Sequence, residues 1–254
     1  MPHPEILLLF LGIAFIYSSV GFGGGSSYLA ILALYEFPFK EMRLIALICN
    51  IIVVIGGTII FINHKQVNWE KIIPLALLSI PMAFLGAMIK ISQDTFFILL
   101  GCTLIAAAIL LWITTKPDDK NVIANSTRSN FLRDGLLGGL IGVLSGMVGI
   151  GGGIFLSPLL NLMRWDKPKK IAAAASVFIL VNSIAGIAGQ LTILPSNINY
   201  VQILLLCVAV FIGGQLGSRM NAVKFNQLLV RKVTAIVVCW AGIEVLSKHI
   251  HWFN

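Results

Sequence analysis

Ser19-Val-Gly-Phe-Gly-Gly-Gly-Ser-Ser-Tyr-Leu-Ala30 and Met147-Val-Gly-Ile-Gly-Gly-Gly-Ile-Phe-Leu-Ser-Pro158 are two copies of one motif, 128 residues apart in a chain of 254. Both share Val-Gly-x-Gly-Gly-Gly, and each copy interrupts the middle of an apolar run. The first run carries no charge between Glu5 and Glu36, the second none between Asp134 and Arg164. A single bilayer crossing takes about 20 apolar residues, so both runs are too long for one straight helix. Three consecutive glycines also weaken a helix by about 1 kcal/mol each relative to alanine. How the chain passes these two stretches sets its topology.

The surrounding sequence is that of a membrane protein. It is 58% hydrophobic and 11% charged, with a mean hydropathy of +0.95, where soluble domains average about 25% charged. Exposed apolar surface on that scale drives association in water; lipid removes the problem. Further runs without charge span 44–63, 72–89, 95–115 and 171–218, and a last one, 233–243, extends back past Arg231 and Lys232. The net charge of +8 belongs to short loops between apolar runs, as the positive-inside rule requires, and not to a nucleic-acid site. The start, Met-Pro-His-Pro-Glu, lacks the basic region of a signal peptide, so the first run is expected to be retained. Cys49, Cys102, Cys207 and Cys239 lie in apolar runs without Cys-x-x-Cys spacing and read as packing residues, not disulfides or metal ligands.

Weaker matches extend the duplication. Asn68-Trp69 recurs as Asn199-Tyr200 and Leu85-Gly86 as Leu216-Gly217, both 131 residues on. The expected fold class is therefore an all-α polytopic membrane protein of two homologous halves with four apolar segments each. Residues 1–115 form the first half, 116–133 a polar linker and 134–254 the second half. Segments one and five are either long helices broken at the glycines or re-entrant hairpins that dip into the membrane and return. Segment length does not decide between these, but loop charge does. Eight crossings would place 11 cations on one side and 7 on the other, whereas six crossings with two re-entrant segments give 14 against 4. The stronger asymmetry is preferred. The halves are then inverted repeats, an arrangement many secondary transporters use, and both termini are expected outside.

Irregular backbone at membrane depth is tolerated only where protein or a water-filled cavity surrounds it. Gly23, Gly24 and Gly25 are thus expected to meet Gly151, Gly152 and Gly153 near the midplane. The helix after each triplet presents unpaired N–H groups and the positive end of its dipole, and two such ends together suit a small anion. Ser26 and Ser27 add hydroxyl donors. Close packing of helices through glycine is the plainer reading of the same residues, but two matching triplets in over-long segments favour a site. Asn50 and Ser176, in the second segment of each half, and Asn182 are further candidates for lining it, with interhelical hydrogen bonds as the alternative. Gln190, Gln215 and Arg219 rank below them. Glu244, an acid inside an apolar segment, is a candidate for coupling, although Lys248 four residues on offers it an ion pair.

With these residues the chain resembles the sulfite exporter TauE/SafE family of membrane permeases. The doubled Gly-x-Gly-Gly-Gly, the second copy followed by Pro158, carries the resemblance, with the small-residue run Ala172 to Ser176 and the paired Leu-Gly steps. It covers both halves. One departure is Ala30 where the second half has Pro158, so the carried-over role is firmer in the second half. The resemblance implies movement of sulfite, sulfonates or related small sulfur-containing or organic anions across the plasma membrane. The expected function is thus a secondary transporter working by alternating access, with a coupling proton or cation, and with a passive anion channel along the same axis as the alternative. No enzyme is expected: His3, His64, His249 and His251 lie at ends or loops and no acid pair is buried. No catalytic residue, cofactor or metal is expected either.

Overall fold

The computed structural model describes residues 4–18, 23–114, 130–193, 199–220 and 227–250. Ten α-helices make up these parts: α1 (Glu5–Ser18), α2 (Gly25–Leu34), α3 (Phe39–Asn63), α4 (Trp69–Met88), α5 (Gln93–Ile113), α6 (Phe131–Val148), α7 (Gly153–Leu162), α8 (Pro168–Gln190), α9 (Tyr200–Met220) and α10 (Gln227–Ile250). A 3-10 turn follows α8, and there is no strand among the described residues. Six helices, α3, α4, α5, α6, α8 and α9, are long and apolar enough to cross a bilayer. The molecule is therefore an all-helical, multi-pass membrane protein. Large apolar side chains such as Leu8, Leu77, Leu140, Leu204 and Trp240 lie on its outside, where lipid accepts them.

Both over-long segments are broken where the glycines fall. The first yields α1 and α2 and the second α6 and α7; α2 and α7 are 10 residues each and start 128 positions apart. The backbone repeats in finer detail. Glu36 and Arg164, again 128 apart, turn the chain out of α2 and α7 with φ of 57° and 49°. Other ends follow local chemistry. The Ser92 hydroxyl accepts from the Thr95 amide at the start of α5, Asn130 caps α6 from Arg133, and Pro168 opens α8, where its missing N–H costs nothing.

Glycines set which helices approach most closely. A methyl group on Gly138, Gly142 or Gly146 of α6 would collide with the carbonyl oxygens of Leu75, Ser79 and Ala83 of α4. The ascending order on both helices makes the pair parallel. Gly213 and Gly217 of α9 meet the carbonyls of Leu11 and Phe15 of α1 in the same way, also in parallel. Two further pairs are parallel: α4 with α8, through Asn182 on Ser79 and Gly189 on Phe84, and α3 with α9, through Val53 on Gly214 and Gly56 on Gln215.

Two pairs run antiparallel. On α3 and α8, Leu47 faces Gly186 while Thr58 bonds Ser176 at 2.7 Å. On α5 and α10, Gly101 and Gly242 face each other, and a methyl on either would lie 3.1 Å from the other's carbonyl oxygen. Small residues allow this backbone-to-backbone approach, which is how helices associate where lipid offers no hydrophobic drive. Asn50 and Ile179 are each the twelfth residue of their helices, α3 of 25 and α8 of 23. These two side chains therefore mark mid-depth.

Candidate functional site

The site is built from backbone before side chains. Gly24 and Gly152 precede the first turns of α2 and α7 with φ/ψ of 87°/0° and 79°/−13°. That left-handed geometry favours glycine, because a Cβ there crowds the backbone. Neither helix start receives a side-chain cap; the amides of Ser27 and Phe155 close onto the Gly24 and Gly152 carbonyls, and the two amides before each have no acceptor inside their helix. The two starts converge. A methyl on Gly25 would lie 2.6 Å from the Ile150 carbonyl oxygen, and Gly23 to Ser26 share one small cavity with Ile150, Gly153 and Ile154.

Side chains at mid-depth hold the loops together. Asn50, fully buried, donates from Nδ2 to the Ile150 carbonyl at 2.8 Å, tying α3 to the second loop while its amide also abuts Gly23 and Gly25. Ile179 packs on Gly23, Gly151 and Gly153. Asn50 Oδ1 and Ser183 Oγ are buried without a hydrogen-bond partner, and both lie beside the loops. Tyr17 reaches across the first break to bond Ser27 at 2.5 Å. The cavity has a volume of about 10 Å³, which is room for about one water molecule.

The structure thus brings Gly23, Gly24, Gly25, Ser26 and Ser27 together with Gly151, Gly152, Gly153 and Asn50. It places the other candidates elsewhere. Ser176 bonds Thr58 between α3 and α8. Asn182 donates to Ser79 at 3.0 Å and to the Phe178 carbonyl at 2.8 Å. Glu244, partly exposed, lies 3.7 Å from Lys248. Sequence reasoning passed over Tyr17, Ile179 and Ser183. Ile179 had a signal, since helix starts at Phe39 and Pro168 put it in register with Asn50. No group of His, Cys, Asp or Glu among the described residues is arranged to hold a metal ion, and the four cysteines are free.

Away from the membrane centre, a polar network joins α4, α6 and the turn after α7. Lys71 donates to the Trp165 carbonyl at 2.8 Å and pairs with Asp166 at 3.3 Å. Trp165 Nε1 donates to Asp134 at 3.4 Å, and Arg133 pairs with the same carboxylate at 3.1 Å. Asp134 is buried and needs such partners. The network ties the starts of α4 and α6 to the turn after α7.

Comparison with known proteins points to membrane transport. The sequence profile of the family described as sulfite exporter TauE/SafE matches residues 6–245. A probable membrane transporter protein of Sinorhizobium fredii is 28% identical over 95% of this chain and 97% of its own. One of Methanocaldococcus jannaschii is 29% identical over 86% of each chain. One of Bacillus subtilis is 23% identical over 96% of this chain and 98% of its own. No solved structure matches.

Proposed function

We propose, for a chain that belongs to the sulfite exporter TauE/SafE family, that two inverted halves carry a small sulfur-containing or organic anion past the glycine loops by alternating access. It is a membrane transporter and not an enzyme. The observation that carries the proposal is the convergence of two helix starts on one small cavity at mid-depth. Backbone N–H groups and aligned dipoles favour negative charge there, and they require no ionisable side chain in the membrane core.

Helix directions support the inversion. α6 runs parallel to α4, and α4 parallel to α8, so α6 and α8 point the same way. α7, which links them, then has to return, making α6 and α7 the long and short arms of a re-entrant hairpin. By the same steps α1, α9 and α3 point one way and α2 returns. The long arm also accounts for α6 ranking among helices able to cross. Equivalent helices α3 and α8 run antiparallel, as do α5 and α10, which is what an axis in the membrane plane produces. Both termini lie on one side in this reading and the polar linker on the other. The linker side is cation-rich and is assigned to the cytoplasm of a plasma membrane.

A cavity with room for about one water molecule favours a carrier over an open anion pore. Flux of sulfite and of small sulfonates and carboxylates into proteoliposomes tests the reading. Saturating uptake driven by an opposing anion gradient is expected, and a non-saturating current would refute it. Gly25→Ala tests the site itself, since its methyl presses on the Ile150 carbonyl. Undiminished flux in that variant would remove the glycine loops from the path.

A further inference from the structure

A much larger cavity, about 460 Å³, opens at the end of the bundle away from the Lys71–Asp166 network. It lies between the start of α3, the end of α4, the turn into α5 and the end of α8. Lys40, Arg43 and Lys90 line it with Gln190, and no carboxylate among the described residues does. Lys40 and Arg43 are three residues apart on α3 and share a helix face. In the inverted-repeat reading this side holds only four of the chain's cations, Lys40, Arg43, Lys90 and Lys248. Three of those four line this one cavity.

Arg43 is the unusual member, buried with 5% of its surface exposed. One arm, Nη2, donates to the carbonyls of Gly146 at 2.9 Å and Ala87 at 3.2 Å, at the C-terminal ends of α6 and α4. Those contacts fix the guanidinium, but Nε has no hydrogen-bond partner, and neither has Nε2 of buried Gln190. Buried donors left unpaired are costly, and here both belong to residues that line one cation-rich cavity. Arg43 also packs its backbone and stem on Gly149, next to the Ile150 carbonyl that Asn50 holds.

We propose that this cavity is a second anion-binding site, in which Arg43 Nε and Gln190 Nε2 hold an oxyanion head and Lys40 and Lys90 attract it. The site takes organic anions in preference to bare ones. Its volume far exceeds the roughly 30 Å³ share of a water molecule, and Phe39, Ala87, Ile89 and Ile91 give a short apolar body somewhere to lie. Its position beside Gly149 makes it a vestibule in front of the glycine loops. Binding in it does not depend on those loops being the path.

Calorimetry on the purified full chain in detergent, with sulfate, methanesulfonate, benzenesulfonate and benzoate as probes, tests this. The aromatic anions are expected to bind more tightly than sulfate. Lys40→Gln with Lys90→Gln, both exposed positions, is expected to weaken binding about tenfold without altering thermal stability in anion-free buffer. Arg43→Gln is expected to weaken it by about 30-fold or more. If that variant does not fold, the double lysine variant decides alone. Unchanged affinity in the double variant, or no binding by any probe to the unaltered chain, overturns the proposal. Gly25→Ala, expected to lose flux, is expected to keep this binding, so failure at one site is separable from failure at the other.

Discussion

Asn50 ties α3 to the loop before α7 through one side chain. Its Nδ2 is committed to the Ile150 carbonyl, and the amide fits against the first loop so closely that Gly23 and Gly25 admit no Cβ. Asn50→Asp keeps the shape but sets an acceptor against that carbonyl and a negative charge in the proposed anion path. A loss of flux of at least about tenfold is expected, as for one lost hydrogen bond whose buried carbonyl is left facing another acceptor, with the protein still monodisperse. Near-normal flux in Asn50→Asp would sink the assignment. Asn50 was legible because an amide in an apolar run needs a partner. Ser176 read the same way but spends its hydroxyl on Thr58, since in register the position opposite Asn50 is Ile179. Tyr17 gave no sign at all. A tyrosine among aliphatic residues becomes a site residue only when the chain folds back ten positions later to Ser27.

Helix pairs are held by rows of glycine and by polar ties at their ends. Gly142 sits midway in the row Gly138, Gly142, Gly146, where any side chain meets the α4 backbone. Gly142→Leu is expected to force α4 and α6 apart and lower stability by about 1–3 kcal/mol or more, read as a fall in thermal midpoint in micelles. An unchanged midpoint would mean that the row is not a packing seam. The Lys71–Asp166 pair, with Lys71 also 5.1 Å over the Trp165 ring, ties the start of α4 to the turn after α7. Asp166→Asn is expected to loosen this tie, seen as faster alkylation of a cysteine placed near Trp165; equal rates in the two proteins would argue against a tying role. Element existence was readable in advance, because run length and the glycine triplets fix where helices begin and break. Element pairing was not. Partners such as α1 and α9 are far apart in sequence, and apolar helices offer lipid and neighbour much the same surface.

For the molecule as a whole the decisive measurement is sidedness. Introduced cysteines at Glu36 and Arg164, the two left-handed turns out of α2 and α7, are expected to label from opposite faces of the membrane. Eight full crossings would put them on the same face, so a shared side would end the inverted arrangement. The parallel seams have a different consequence, for the order of synthesis. α1 leaves the ribosome first, yet its seam partner α9 begins about 180 residues later. At about 5–20 residues per second, α1 has to wait about 10–40 seconds for the neighbour against which its backbone is shaped. Until then its carbonyls at Leu11 and Phe15 face lipid or the insertion machinery. A nascent chain cut short after α5 is therefore a ready substrate for membrane quality control, while two fragments divided in the linker and made together are expected to reassemble a working transporter.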